Sequence, residues 1–241
     1  MSPVQVYVIG PSSTGKTTLC NALAKSVGLS TRCYITEVAR QVMQSKGYTR
    51  ADVGTMEMQQ AIMLAQLEKE ADAFACARWG NSEGLILSDR SGIDPIVYAI
   101  MTAKDEAEAH QKEDVLVNIP AFQMALRRYK EAIFLLLNPV EEWLVDDGVR
   151  SLDHHERCIK VFHQVLDKFG LKYQEMGAET KKIEDRVRLM EERIVLAHRP
   201  HVSQMRETLA IRPRVSESTS ACCPNTEGQH PVTNTSREMS L

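Results

Sequence analysis

Gly10-Pro11-Ser12-Ser13-Thr14-Gly15-Lys16-Thr17 is the stretch that decides the fold. It matches G-x-x-x-x-G-K-[ST] at every defined position, and its flanks have the character that the motif's mechanism requires. Upstream, Val4, Val6, Val8 and Ile9 form a short β-branched run that stops at Gly10. Downstream, Leu19, Leu23 and Val27 recur at helical spacing across Lys16 to Val27. Strand, glycine loop and helix are therefore expected in that order. Average residue usage would produce the pattern by chance in roughly one chain of this length in a hundred, and chance would not also supply both flanks.

The loop has a direct physical reading. Gly10 and Gly15 permit backbone angles and close approaches that a Cβ would hinder, so that successive amides converge on phosphate oxygens at a helix N-terminus. Lys16 then reaches the β- and γ-phosphates of a nucleotide triphosphate, and the Thr17 hydroxyl is the expected protein ligand to Mg²⁺. The nucleotide-binding segment is taken as Gly10, Pro11, Ser12, Ser13, Thr14, Gly15, Lys16, Thr17 and Thr18.

Outward from the loop, strands alternate with helices. A brief strand is expected at Cys33 to Ile35, followed by helices at Val38 to Ser45 and from about Thr55 to Trp79. On the longer helix Leu64, Leu67, Ala71 and Phe74 are expected to share one face, and Met56, Met58 and Met63 read as flexible core filler rather than the lining of a substrate cavity. Leu85 to Leu87, ending in Ser88-Asp89-Arg90, and Ala132 to Leu137, ending in Asn138-Pro139, are continuous apolar runs of the kind buried on both faces. Between them lie helices near Ile93 to Thr102 and Ala121 to Tyr129, separated by the charged segment Lys104 to Asp114, expected to be a solvated loop or helix. After Pro139 come a helical piece to Asp147, a break at Gly148, a helix from about His155 to Phe169, a strand at Lys172 to Gln174 and a closing helix near Thr180 to His198. This alternation implies right-handed crossovers and a mainly parallel sheet.

Composition sets the outer limits. With 241 residues, 43% hydrophobic and 25% charged, the chain is long enough for one substantial core. One domain over residues 1–199 is expected, followed by a Ser/Thr/Pro-rich tail over 200–241, expected to be disordered because it has too few apolar groups to offset the entropy of ordering. Its 29 basic and 32 acidic side chains are interspersed, net −3, so no uniform field favours a nucleic acid. No apolar run is long enough for a membrane span and residues 1–10 lack a basic, signal-like start, so a cytoplasmic protein is expected. Cys20, Cys33, Cys76 and Cys158 have no neighbour at zinc-ligand spacing and read as reduced thiols of the fold.

Several polar residues stand where chemistry is expected. Asp89 closes a buried strand, from which a carboxylate can hold Mg²⁺ or its water, and Arg90 beside it can grip an acceptor. Glu37 follows the second strand with Arg40 three residues on. It serves either as a general base or hydroxyl anchor for a phosphoryl acceptor, or as half of a local ion pair. Arg150 and Arg157 lie in a polar stretch between two helices that can close over a nucleotide, where a forked, permanently charged donor follows charge migrating between phosphates. His154 and His155 are adjacent, lack a third ligand at usable spacing and are expected at the surface.

These motifs together resemble the P-loop family that includes the kinase domain of NadR-type ribosylnicotinamide kinases and related AAA-like domains of eukaryotes. The resemblance runs from about Val4 to about Ile194. It is carried by the glycine loop, by Glu37-Val38-Ala39-Arg40, and above all by Trp143 followed by Asp147-Gly148-Val149-Arg150-Ser151-Leu152, a phrase much rarer than a P-loop. Asp89-Arg90-Ser91 is more similar to the Asp-Arg motif of nucleoside and nucleotide kinases, with Asp94 as a second acid at longer spacing. The resemblance implies an α/β P-loop NTPase fold: a mainly parallel five-stranded sheet, helices on both faces and a helical lid. It also implies ATP at the glycine loop and an acceptor beside the second and third strands.

Two classes of function follow. One is a Mg·ATP-dependent kinase of a nucleoside-like or other small hydroxylated acceptor, using Lys16, Asp89, Glu37 and Arg150 in catalysis, and Glu37, Arg40, Arg90 and Asp94 around the acceptor. The other is a nucleotide-binding regulatory or trafficking module, which would bind nucleotide without transferring a phosphoryl group. A Ras-like GTPase is disfavoured because no Asn/Thr-Lys-x-Asp phrase is present.

Overall fold

The computed structural model describes residues 2–79, 84–140, 142 and 152–198. The elements run β1 (Val4–Ile9), α1 (Lys16–Ser26), β2 (Tyr34–Ile35), α2 (Val38–Lys46), a 3₁₀ turn (Arg50–Gly54), α3 (Met56–Trp79), β3 (Leu85–Asp89), α4 (Ile93–Met101), α5 (Glu106–Val117), α6 (Pro120–Tyr129), β4 (Ile133–Leu137), α7 (Leu152–Lys168), β5 (Tyr173–Met176) and α8 (Ile183–His198). All strand pairings are parallel, and the sheet order is β2-β3-β1-β4-β5. The α/β P-loop architecture expected from the sequence is therefore present. The lid phrase from Trp143 to Ser151, including Arg150, and the tail 200–241 lie outside the described residues.

The continuous apolar strands are buried on both faces because helices cover each side. In β1, Tyr7 and Ile9 join Phe134 and Leu136 in one core, beneath α4, α6 and α7. Val6 and Val8, on the opposite face, join Leu85, Leu87, Leu135 and Leu137 beneath α1 and α8. Tyr7, Tyr129 and Phe134 meet at centroid distances of 4.9, 5.0 and 5.3 Å in edge and stacked geometries. Each such fully buried side chain stabilises the fold by about 1.5–3 kcal/mol. A third core at the β2 edge sets Cys33, Ile35 and Ile86 against α2 and α3.

Two expectations need correction. The buried face of α3 is not Leu64, Leu67, Ala71 and Phe74: Leu64 is 51% exposed and Ala71 is exposed, whereas Met58, Gln59, Ile62, Met63, Gln66, Leu67, Glu70, Ala73 and Ala77 are buried. Three polar side chains, Gln59, Gln66 and Glu70, lie on that face, so apolar periodicity alone points to a different stripe. The charged segment Lys104 to Asp114 belongs largely to α5, whose N-cap Asp105 accepts from the Glu108 amide at 2.8 Å. It is not fully solvated, since Lys112 and Glu113 are buried and the Lys112 ammonium donates to the Gly54 carbonyl at 2.9 Å. The methionines at 58 and 63 are core residues, as expected.

The strand order positions the site. The chain leaves β1 for β2 on one side of the sheet, returns through β3, and then moves to β4 on the other side of β1. Ligands of open parallel sheets bind beyond the carboxyl ends of strands at such a switch. Here that is where β1 runs into Gly10 and β3 ends at Asp89, with Val8 and Asp89 in register. Among the described residues no helix is long and apolar enough to cross a membrane.

Candidate active site

The glycine loop has the backbone the sequence demands. Gly10 has φ +134°, and a Cβ there would lie 2.6 Å from the Leu137 carbonyl oxygen at the end of β4. Gly15 caps α1 in the left-handed region, at φ 87°. Having no side chain, it leaves the first-turn amides of α1 to whatever lies in front of them, which suits an anion. Ser13 takes a positive φ of 63°, turning the loop between the two glycines.

Lys16 is buried and folds back across the loop, donating to the Pro11 carbonyl, with Thr14 Oγ1 3.4 Å away. Burial lowers its pKa to about 7, and nearby Arg90 adds to the effect against the opposing pull of Asp94, Asp89 and Glu37. The ammonium is thus short of negative charge, a deficit that phosphate oxygens would fill.

Thr17 Oγ1 donates to Asp89 Oδ2 at 2.5 Å, bridging the start of α1 and the end of β3. The other carboxylate oxygen, Asp89 Oδ1, is buried and has no hydrogen-bond partner among the described residues. Burial raises the Asp89 pKa, against the counteracting Thr17 hydrogen bond and the charges of Arg90 and Lys16. A hydroxyl and a carboxylate with an unused oxygen form a hard donor set that fits Mg²⁺. Among the described residues no group of three or more His, Cys, Asp or Glu could hold a metal. An ion here would therefore complete its shell with phosphate and water, which is how Mg²⁺ is usually bound.

Beside this pair, Arg90 is clamped by two carboxylates. Its Nε and Nη2 lie 3.3 and 3.1 Å from Glu37 Oε1, and its Nη1 lies 3.1 Å from Asp94 Oδ1. Asp94 Oδ2 also accepts from the Ser91 amide at 2.9 Å, and the Arg90 guanidinium sits 5.9 Å from the Tyr98 ring centroid. Burial raises the Asp94 pKa in spite of Arg90 and Lys16. Arg40 is 75% exposed in its side chain and pairs with Glu37 Oε2 at 3.4 Å. Of the two readings of Glu37, the structure shows the ion pair, which Glu37 makes with both Arg40 and Arg90. Glu37, Asp89, Arg90 and Asp94 come together around the loop, as the motif positions suggested. Arg157 lies on α7 and is exposed.

His155 is where the sequence reading failed. It is 1% exposed rather than at the surface, and its Nε2 lies 3.2 Å from the Ser12 carbonyl of the glycine loop. A carbonyl only accepts, so Nε2 carries the proton in this contact. The signal was present: His155 begins the stripe Cys158, Val161, Phe162, Val165 and Leu166 along which α7 is buried.

A family model described as an AAA domain matches residues 5–186. None of the curated proteins matches the sequence. Among solved structures, a NadR protein in complex with NR is 22% identical, with a TM-score of 0.55 over 72% of this chain and 43% of that one. A NadR protein in complex with NAD and AMP-PNP is 19% identical, with a TM-score of 0.58 over 89% of this chain and 52% of that one. A deoxyadenosine kinase from M. mycoides with bound dATP is 13% identical, with a TM-score of 0.56 over 79% and 99%. At these identities the likeness is one of fold, and the chain spans about half the length of the NadR chains it matches.

Proposed function

The chain belongs to the AAA domain family, and we propose that it is an ATP- and Mg²⁺-dependent kinase that phosphorylates a hydroxyl of a nucleoside-like or other small acceptor. The observation that carries this reading is the 2.5 Å contact between Thr17 and Asp89, which leaves Asp89 Oδ1 buried and unpartnered beside the glycine loop. The fold shared with NadR and deoxyadenosine kinase supports it.

In this mechanism the loop amides and Lys16 hold the β- and γ-phosphates, and Lys16 regains its charge against them. Thr17 and Asp89 would hold Mg²⁺, which neutralises charge shared between the phosphates. The acceptor lies between Glu37 and Asp89, with Arg90, Arg40 and Asp94 fixing its orientation. Its hydroxyl oxygen forms a bond to the γ-phosphorus as the bond from that phosphorus to the bridging oxygen breaks. That bond's electron pair leaves on the β-phosphate of ADP, and the hydroxyl proton passes to the Glu37 carboxylate. Phosphoryl transfer asks more of positioning and charge than of covalent chemistry, so a carboxylate held by two guanidinium groups suffices. Arg150, with Arg157 in a lesser role, would close over the phosphates and exclude water.

The test is the purified full-length chain with ATP, Mg²⁺ and a panel of nucleosides. A phosphorylated product that disappears in Lys16→Ala is expected. ATP loss that needs no acceptor, or nucleotide binding without product from any acceptor, would instead favour a nucleotide-dependent switch.

A further inference from the structure

A chain of buried hydrogen bonds runs beneath the site and meets the β3–α4 turn at both of its ends. We propose that Gln66, Glu70 and Tyr129 are positioning residues, which grip this turn from the core side and so hold Asp89 and Arg90 in the geometry the site requires. The proposal rests on the reading of Asp89 as a Mg²⁺-holding group.

The turn needs such a grip. Arg90 has φ 84°, a left-handed conformation that a side-chain-bearing residue keeps only when its surroundings impose it. Its amide donates to the Val8 carbonyl at 3.0 Å, which fixes one side of the peptide. The other side is fixed from below. The Ser88 hydroxyl donates to the Arg90 carbonyl at 2.7 Å, and that hydroxyl oxygen accepts from Gln66 Nε2 at 3.0 Å. Gln66 Nε2 also lies 3.4 Å from the Arg90 carbonyl itself. Its orientation is set one helical turn along α3, where Glu70 Oε1 accepts from Nε2 at 3.0 Å. Glu70 Oε2 accepts from the Tyr129 hydroxyl at 2.7 Å, and the oxygen of that hydroxyl accepts from the Gly92 amide at 2.9 Å.

The chain therefore begins at the Arg90 carbonyl and ends at the Gly92 amide, two residues later. Gln66, Glu70 and Tyr129 are each no more than 2% exposed. Tyr7, whose hydroxyl lies 3.4 Å from Glu70 Oε2, and Arg128, at 4.0 Å from the same oxygen, complete the surroundings of the carboxyl. The turn sits flush on this network: a Cβ at Gly92 would lie 2.9 Å from the Tyr129 hydroxyl oxygen and 3.0 Å from Leu67 Cδ2. A buried polar chain of this kind is costly unless its members find partners, and here they pair with one another and, at the two ends, with the backbone of the β3–α4 turn. An apolar core would pack as well but would leave the Gly92 amide unheld and the Ser88 hydroxyl without the donor that orients it toward the Arg90 carbonyl.

The measurement is the ratio of the ATP dissociation constants without and with Mg²⁺, by calorimetry on the full chain. Gln66→Met removes both donors of the amide, and Tyr129→Phe keeps the ring while releasing Gly92. Val165→Ala, in the same core but away from the turn, reports what lost packing does alone. The expected result is that Gln66→Met and Tyr129→Phe each reduce the Mg²⁺ ratio at least about fivefold. Mg²⁺-free affinity should stay within about twofold of wild type, because the network does not touch the glycine loop, and Val165→Ala should leave the ratio intact. An unchanged ratio in folded Tyr129→Phe, or an equal fall in Val165→Ala, overturns the proposal even if Gln66→Met fails to fold. A wild-type chain whose ATP affinity ignores Mg²⁺ overturns it together with the reading of Asp89. A wild-type chain with a Mg²⁺ effect but no acceptor ends the kinase reading alone, and the ratio still decides the role of the network.

Discussion

Replacing Glu70 by glutamine should remove a pH dependence of stability that the wild-type fold carries in its core. Burial raises the Glu70 pKa to about 7 from an ordinary 4.5, against the lowering effect of hydrogen bonds from Tyr129 and Gln66 and the charge of Arg128. Between pH 4.5 and 7 the folded chain therefore keeps a proton on this carboxyl that the unfolded chain has released. A folded-state pKa above the unfolded one means that the stabilisation is complete below pH 4.5, declines as pH rises and is gone above about pH 7. From pH 5 to pH 8 the loss is on the order of 2–3 kcal/mol for a shift of this size, a sizeable share of the roughly 5–15 kcal/mol by which domains are stable. Other titrating groups, such as Asp89 and Asp94, contribute equally to wild type and variant and cancel in the difference. Urea unfolding of both proteins at intervals from pH 5 to 8 measures it directly. Glu70→Gln should gain on wild type steadily across that range. A difference that stays flat to within about 0.5 kcal/mol, when a shift of this size predicts several times more, would show that the carboxyl is solvated and that the buried network is not sealed.

Gly10→Ala should lose about 2–4 kcal/mol of stability and all nucleotide binding, since it combines a positive φ with a collision against backbone; thermal unfolding and calorimetry check both. Lys16→Ala should weaken ATP binding by about 10- to 150-fold, the equivalent of a charge-assisted hydrogen bond worth about 1.5–3 kcal/mol, and an affinity within twofold of wild type would remove Lys16 from the phosphate site. Asp89→Asn should abolish the Mg²⁺ enhancement of ATP affinity while sparing Mg²⁺-free binding; retention of the enhancement would mean that the ion is held elsewhere. His155→Leu keeps the buried volume but removes the contact with the Ser12 carbonyl, so the KM for ATP should rise several-fold with a small change in melting temperature.

Much of this was readable in one dimension. The glycine loop announces itself because phosphate binding needs glycine, lysine and a hydroxyl at fixed spacing on a strand–loop–helix junction. Asp89, Arg90 and Glu37 stand out in the sequence because they follow apolar runs that end at the same edge of a parallel sheet, and the structure sets Arg90 against Glu37 and Asp89 against Thr17. The buried face of α3 was misread for an equally physical reason. Gln59, Gln66 and Glu70 look solvent-facing until Ser88, Arg90, Tyr129 and the Val53 carbonyl are known to meet them. His155 was misplaced likewise, because its partner Ser12 is 143 positions away in the chain.

Local chemistry thus determined the glycine loop between β1 and α1, the alternation of strands and helices, and the identity of the groups at the strand ends. These depend on backbone conformations and periodicities that neighbouring residues impose on one another. Tertiary structure alone decided that Arg90 is clamped by Glu37 and Asp94, that Asp89 keeps one oxygen without a partner among the described residues, and that the core holds a hydrogen-bonded chain ending on the β3–α4 turn. Those outcomes depend on which distant polar group fills which remaining valence, and no pattern of sequence spacing encodes that pairing.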